Sequence, residues 1–482
     1  MSHRTHALVA GACAALLALA LASYAWPYTV DDAYLIARIA RNLVHGWGLV
    51  MNVGGPRVDG ITEPLWLLPV AMGEALGGHG IVAAKLAGTA CALVSAFRTT
   101  LFVAGRCERR GVAFAAFAVG IAPAAAIAAV SGLGTALAGC LFTEAWIAAS
   151  HRPDARGGRA SAMLFLLAFT RPELVPACLV LVGFLLLRDR RAGRWAGGVL
   201  VAGLVAVVTY RLALFGHPLP LAALAKPPEL AHGVSYAAAA LLVTGVGMVL
   251  VAALATWDGL LPEGRALAIV LVVHPFSVVL AGGDWMPGYR LFVPVLPASA
   301  ALLGLVAEAT LSAPRGRRLV ALGALALGLL APPLDAAANL PRARASAEPR
   351  ARHGHAIARV LRDRCHRVAL VDAGYLPYES GVDVVDLAGL VETDVARLPG
   401  GHLDKRIDPL WLAMREPDCV LLHSSGPAVV DEEGRLRFFA GYGVERRVAS
   451  MPFVVAELRV ARTFEYGTDP PYHYVLLERR AP

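Results

Sequence analysis

The sequence predicts an all-α polytopic membrane bundle of about 11 transmembrane helices, followed by a small α/β domain. Three observations predict it. Of the 482 residues 57% are hydrophobic and only 17% are charged, with a mean hydropathy of +0.59. Soluble domains carry about 25% charged residues, so this chain has too few to cover a globular surface. The deficit is also uneven: long apolar runs fill the chain to about residue 336, and roughly the last 145 residues have an ordinary polar mixture. The boundary falls in the Pro/Ala/Arg-rich stretch from Pro332 to Arg352, giving a membrane module over 1–340 and a soluble domain over 341–482.

The first apolar run, Ala7 to Trp26, is long enough to span a bilayer and lacks a small-residue cleavage site before Asp31. It reads as a first transmembrane helix rather than a signal peptide. Further spans are predicted over 80–105, 111–129, 131–150, 160–170, 173–187, 195–215, 234–255, 265–281, 289–311 and 319–335. Many are rich in Ala and Gly, which suits close helix packing in a membrane. The 160–170 run is too short to cross alone and suggests half-helices.

The net charge of +8 comes from short basic clusters between apolar runs: Arg106–Arg110, His151–Arg159, Arg188–Arg194 and Arg315–Arg318. Cytoplasmic loops carry such clusters, so the charge implies a plasma (inner) membrane topology and not a nucleic-acid partner. With these loops inside, the 27–60 loop, the loops at 216–233 and 282–290, and the C-terminal domain lie outside. That requires 62–77 to lie along the outer interface while 80–105 crosses.

In the soluble tail, Val368–Val371, Val382–Leu387, Cys419–Leu422 and Tyr474–Leu477 read as strands and 403–415 as a helix, a partly parallel sheet. Five of seven cysteines lie in apolar segments, where Cys behaves as a small hydrophobe. Cys365 and Cys419 can pair if the tail faces an oxidising compartment. No cysteine spacing suggests a metal site.

The outer loop carries the chemistry. From Asp31 to His45 the pattern is helical and amphipathic. Asp31, Tyr34, Arg38 and Arg41 or Asn42 share one face, and Leu35, Ile36, Ile39 and Leu43 another. Such a helix lies along a membrane surface. Its N-terminal Asp31 and Asp32 read either as caps, which a helix N-terminus favours, or as working carboxylates.

Several motifs in order resemble the multi-pass GT-C glycosyltransferases. The Asp31-Asp32 pair follows the first span, then Tyr34, Arg38 and Arg41-Asn42, the turn from Gly46-Trp47-Gly48 to Asn52, and Gly60, Thr62 and Pro64-Leu65-Trp66. Thr170-Arg171-Pro172-Glu173, Phe215-Gly216 to Pro220 with Lys226, and Gly282-Gly283-Asp284-Trp285-Met286-Pro287-Gly288-Tyr289-Arg290 come later. The likeness covers nearly the whole chain, including Asp372 to Gly374 and Asp386 to Gly389, and is nearest to the branch of the mycobacterial terminal arabinofuranosyltransferases. Two departures stand out: the family often has a glutamate in the turn before residue 135, here Gly134, and Asn-Thr where this chain has Leu221-Ala222.

The resemblance implies transfer of a sugar from a polyprenyl-phosphate donor to an acceptor hydroxyl, inverting if no covalent intermediate forms. A carboxylate removes the acceptor proton and cations stabilise the leaving phosphate. The implied base is Asp31, with Asp32 second. Lys226, Arg290 and Arg171 are implied for the donor phosphate, Arg171 having an ion pair with Glu173 as its structural alternative. Tyr34, Arg38, Asn42, Asp284, Trp285 and Tyr289 are implied for sugar or acceptor, with Asp284 equally readable as a turn residue. A divalent cation between Asp31 or Asp32 and the phosphate is a further expectation, although no ligand spacing demands one. His274 and His217 read as packing histidines. The partners implied are donor, glycan or other hydroxyl acceptor and bilayer, the chain acting as a monomer. Two other classes compete: a lipid-sugar flippase, fitting intramembrane Lys85, Arg98 and Glu144 but lacking duplicated halves, and a membrane-anchored glycan-binding protein, which has no need of the Asp31-Asp32 loop.

Overall fold

The computed structural model describes residues 2–151, 157–426, 429–430, 436–437, 441–468 and 471–480; residues 152–156 of one predicted basic loop lie outside them. The apolar runs form α1 (His3–Ala25), then, beyond the amphipathic α2 (Asp31–Val44) and the short α3 (Leu67–Ala75), α4 (Gly80–Ala104). α5 (Arg109–Gly120) and α6 (Pro123–Val130) make one span bent by 43°. α7 (Thr135–Ser150), α8 (Gly158–Leu167), α9 (Val175–Arg188) and α10 (Arg190–Phe215) lead to the five-residue α11 (Leu221–Ala225). α12 (Leu230–Val243) and α13 (Val246–Ala255) form a second broken span, bent by 70°. α14 (Pro262–Leu280), α15 (Leu296–Ser312) and α16 (Arg315–Ala345) complete the bundle.

Six of these helices are long and apolar enough to cross a bilayer, eight when each bent pair counts as one span. The other three predicted crossings, over 131–150, 160–170 and 173–187, are α7, α8 and α9, of 16, 10 and 14 residues. Leu16, Leu187, Leu254 and Phe276 stay uncovered on the bundle surface. Exposed apolar side chains on that scale call for lipid as their solvent. Inside, Phe142, Trp146, Leu164, Leu181 and Leu302 pack in one core.

Beyond α17 (His355–Arg364) the tail builds a mixed sheet, with the short α18 (Tyr375–Ser380) between its first two strands. Its strands are β1 (Arg367–Leu370), β2 (Asp383–Asp386), β3 (Cys419–Ser424), β6 (Leu458–Thr468) and β7 (Pro471–Arg479), with a separate two-stranded ladder of β4 (Val429–Val430) and β5 (Leu436–Arg437). The order is β2-β1-β3-β7-β6, parallel from β2 to β3 and antiparallel from there on. A disulfide joins Cys365, just after α17, to Cys419 at the start of β3.

The predicted helix over 403–415 shrinks to Pro409–Met414. Asp408 caps it by accepting from the Leu410 N–H at 2.7 Å, and Pro409 takes the first helical position. The preceding residues are diverted because the Lys405 ammonium turns inward and donates to the carbonyls of Ala396 and Leu398, at 2.9 and 3.0 Å.

The sheet domain is not a loose appendage. A single apolar core runs from α2 into it, through Ile39, Trp66, Ile357, Leu376, Val384 and Leu476. Burying such side chains contributes about 1.5–3 kcal/mol each.

Candidate active site

The segment entering α2 is held by cations on its carbonyls. The Lys85 ammonium donates to Trp26 and Tyr28, at 2.5 and 2.9 Å, and Arg350 donates to Thr29 at 2.6 Å. Intramembrane Lys85 is therefore occupied by backbone. Arg98 is likewise paired with Glu144, its Nε 2.6 Å from the carboxylate.

Asp31 and Asp32 then open α2. Successive helical residues point about 100° apart, so the two carboxylates go to different places. Asp31 turns to the sheet domain and accepts from the Gly374 and Tyr375 N–H groups, both at 2.9 Å, with Arg350 3.9 Å away. A Cβ on residue 374 would lie 2.1 Å from the Asp31 carbonyl oxygen, so only glycine permits this approach. Burial, reinforced by the neighbouring Asp372, pushes the Asp31 carboxyl up to about 6 against the pull of Arg350.

Asp32 instead lines a cavity of about 130 Å³, which also touches Thr62, Glu63, Arg171, Lys226 and Arg290. The structure thus brings Asp32 together with all three predicted phosphate-binding cations, from segments up to 258 residues apart in sequence (290 − 32). Among the described residues the Lys226 ammonium has no hydrogen-bond or ion-pair partner, and only its backbone N–H is bonded, to the Ala222 carbonyl at 3.0 Å. Arg290 is braced by both carboxylate oxygens of Asp284. Arg171 is clamped between Glu63, at 2.6 Å, and Glu173, and also donates to the Thr135 hydroxyl at 3.0 Å. Of the three cations, Lys226 alone carries an uncompensated charge toward the cavity.

Glu63 was not singled out by sequence, although it sits inside the Gly60-to-Trp66 motif. Its Oε2 is buried and unpartnered. A Cβ at Gly134 would lie 2.1 Å from that oxygen. The space that a side chain at position 134 would fill is therefore occupied by the carboxylate of Glu63. His402, from the sheet domain, also feels this site: burial, and then the Lys226 charge, push it down to about 4.

The residues expected to touch sugar or acceptor are placed differently. Arg38 is buried and donates to the Met51 and Pro377 carbonyls at 2.8 and 2.6 Å. Asn42 is buried and donates to Val50 and Met51 at 2.8 and 3.2 Å, holding the Gly46–Gly48 turn. Tyr34 packs edge-on to Tyr375, ring centroids 5.0 Å apart. These three dock the loop and the sheet domain and do not line the cavity, because the polar face of α2 meets protein rather than water. Asp284 accepts from the Trp285 N–H at 2.9 Å and is spent on that turn and on Arg290. Trp285 is 63% exposed, and Tyr289, at φ 47°, packs on Tyr236; neither lines the cavity. His274 is buried, its Nε2 2.7 Å from the Leu291 carbonyl, and His217 sits with Leu219 and the Asp59–Arg211 ion pair. No group of three or more His, Cys, Asp or Glu arranged to hold a metal ion occurs among the described residues.

Residues 342–475 match a family model described only as a domain of unknown function, DUF8728. No curated protein sequence matches the chain. Two crystal structures of ArnT from Cupriavidus metallidurans, one apo and one bound to undecaprenyl phosphate, are similar to it, with TM-scores of 0.56 and 0.57 and 14% identity. Each likeness covers 96% of this chain and 97% of the other. The chain therefore has a GT-C-like fold, a polytopic helical bundle followed by a small sheet domain.

Proposed function

We propose that the protein is a membrane glycosyltransferase that takes its sugar from a polyprenyl phosphate, with Asp32 rather than Asp31 as the general base. The observation that carries this is the cavity in which the Asp32 carboxylate faces Lys226 and Arg290. One wall suits a proton acceptor and the other a phosphate. The acceptor oxygen bonds to the anomeric carbon and its proton passes to Asp32. The bond from that carbon to the phosphate oxygen breaks, and its electron pair leaves on the lipid phosphate beside Lys226 and Arg290. A single displacement inverts the anomeric centre.

The undecaprenyl phosphate bound in a structure of the same fold supports a lipid-phosphate donor. Arabinofuranosyl transfer in cell-envelope assembly rests on the sequence motifs alone. The Cys365–Cys419 disulfide supports an extracytoplasmic sheet domain, since disulfides persist in oxidising compartments. Binding of undecaprenyl phosphate to the purified protein tests the reading. Lys226→Ala should weaken it by about tenfold or more, the worth of a charge-assisted hydrogen bond. Equal affinity in the variant removes Lys226 from the phosphate site.

A further inference from the structure

The residues that hold Asp31, Arg350 and Tyr375, also line a second, open groove of about 660 Å³, with Tyr24, Tyr34, Arg344 and Glu348. Its composition is specific. Three tyrosine rings line it, and the most exposed of them, Tyr24, can stack on the C–H face of a sugar. Two guanidinium groups offer planar forks matched to phosphate or carboxylate.

Both arginines are held with donors to spare. Arg350 stands over the Tyr34 and Tyr375 rings, 5.0 and 5.5 Å from their centroids, and its buried Nε has no acceptor. Arg344 is exposed and donates from one nitrogen to the Tyr24 carbonyl at 3.0 Å, its guanidinium 5.2 Å from that ring. The one carboxylate of the groove, Glu348, is paired with Arg352. Tyr24 and Arg344 lie at the ends of spans α1 and α16, where aromatic and basic residues mark a bilayer surface.

We propose that this groove is the acceptor subsite and that it takes a sugar bearing an anionic group. The proposal rests on the glycosyltransferase reading, in which acceptor and donor reach the start of α2 from opposite sides. Asp31 accepts from the Tyr375 N–H behind the groove wall, whereas Asp32 lines the cavity.

The test uses the full chain in phosphatidylcholine nanodiscs, with mannose 6-phosphate, mannose and inorganic phosphate as probes followed by saturation-transfer NMR. The expected result is that mannose 6-phosphate binds at least about tenfold more tightly than either component, and that Arg344→Ala erases the preference. Arg344→Gln keeps a donor for the Tyr24 carbonyl and should erase it too, which separates lost charge from lost structure. Inorganic phosphate binding as tightly as mannose 6-phosphate, no binding of any probe, or a preference that survives both variants overturns the proposal. So does loss of sugar-phosphate binding in phosphatidylglycerol discs, which would assign the groove to a lipid headgroup. Undecaprenyl phosphate binding is measured separately. If it is present without a sugar-phosphate preference, only the groove fails; if it is absent, the transferase reading and the acceptor role fail together.

Discussion

Exchanging each carboxylate of the Asp31-Asp32 pair for its amide separates two roles that sequence alone leaves merged. In Asp31→Asn the side chain meets two N–H donors, from Gly374 and Tyr375, each at 2.9 Å. An amide offers its oxygen to one and turns its own NH₂ toward the other. One charge-assisted bond is lost and one donor is left unsatisfied, a cost of about 2–4 kcal/mol. Hydrogen exchange at the Gly374 and Tyr375 amides should accelerate by about 30- to 1,000-fold if local undocking limits it. Asp32 makes no such bond, so Asp32→Asn should leave exchange and melting temperature unchanged. Its effect should fall on transfer from synthetic polyprenyl-phosphate sugars, lowering turnover by about 10²- to 10⁴-fold, the usual worth of a general base. Normal turnover of Asp32→Asn beside an inactive Asp31→Asn with unchanged exchange would refute this division of roles.

Three further results are expected. Replacing Cys365 and Cys419 by Ser should lower stability by about 4 kcal/mol, from the entropy of closing a loop of 54 residues; denaturant melts with and without reductant check it, and identical midpoints would count against it. Gly374→Ala places a Cβ 2.1 Å from the Asp31 carbonyl oxygen; it should undock α2 and lower turnover even though residue 374 does not line the cavity, and a fully active, equally stable variant would show that the contact is dispensable. His423 lies between Asp372 and Glu445, at 3.1 and 2.8 Å, and despite burial these carboxylates raise it to about 10. A raised folded-state pKa adds stability that is complete below pH 6.5 and lost as pH rises through about 10. The stability advantage over His423→Gln should therefore shrink between pH 7 and 10, and a constant gap would show that the imidazolium is not the stabilising form.

The bundle was legible because apolar runs long enough to span a bilayer have few other uses. The cavity cations were legible only through the resemblance, since nothing local links Lys226 to Asp32. What escaped was the purpose of the polar face of α2. Its amphipathic pattern predicts a helix with one wet side, but Arg38 finds its acceptor at Pro377, 339 residues later. A partner that distant leaves no periodic trace. Glu63 escaped for the same reason, its clamp on Arg171 spanning 108 residues. The strand β6 was missed although Leu458, Val460, Phe464 and Tyr466 keep a period of two; the bulge between Val460 and Arg462 sends the first pair to one face of the sheet and the second pair to the other.

These contacts make the sheet domain part of the site's construction. Two cations, Lys85 and Arg350, grip the carbonyls of Trp26, Tyr28 and Thr29 from opposite parts of the chain. Arg38 and Asp31 then tie α2 to α18, and Arg41 adds a bond to the Tyr378 carbonyl at 3.1 Å. A general base needs its carboxylate within hydrogen-bond reach of the proton it removes. The carboxylate of Asp32, the proposed base, makes no hydrogen bond among the described residues, so only the backbone of α2 can supply that precision. Asp31, the neighbour that faces the other way, transmits it. On this view the pair is adjacent because one residue anchors the helix turn from which the other works.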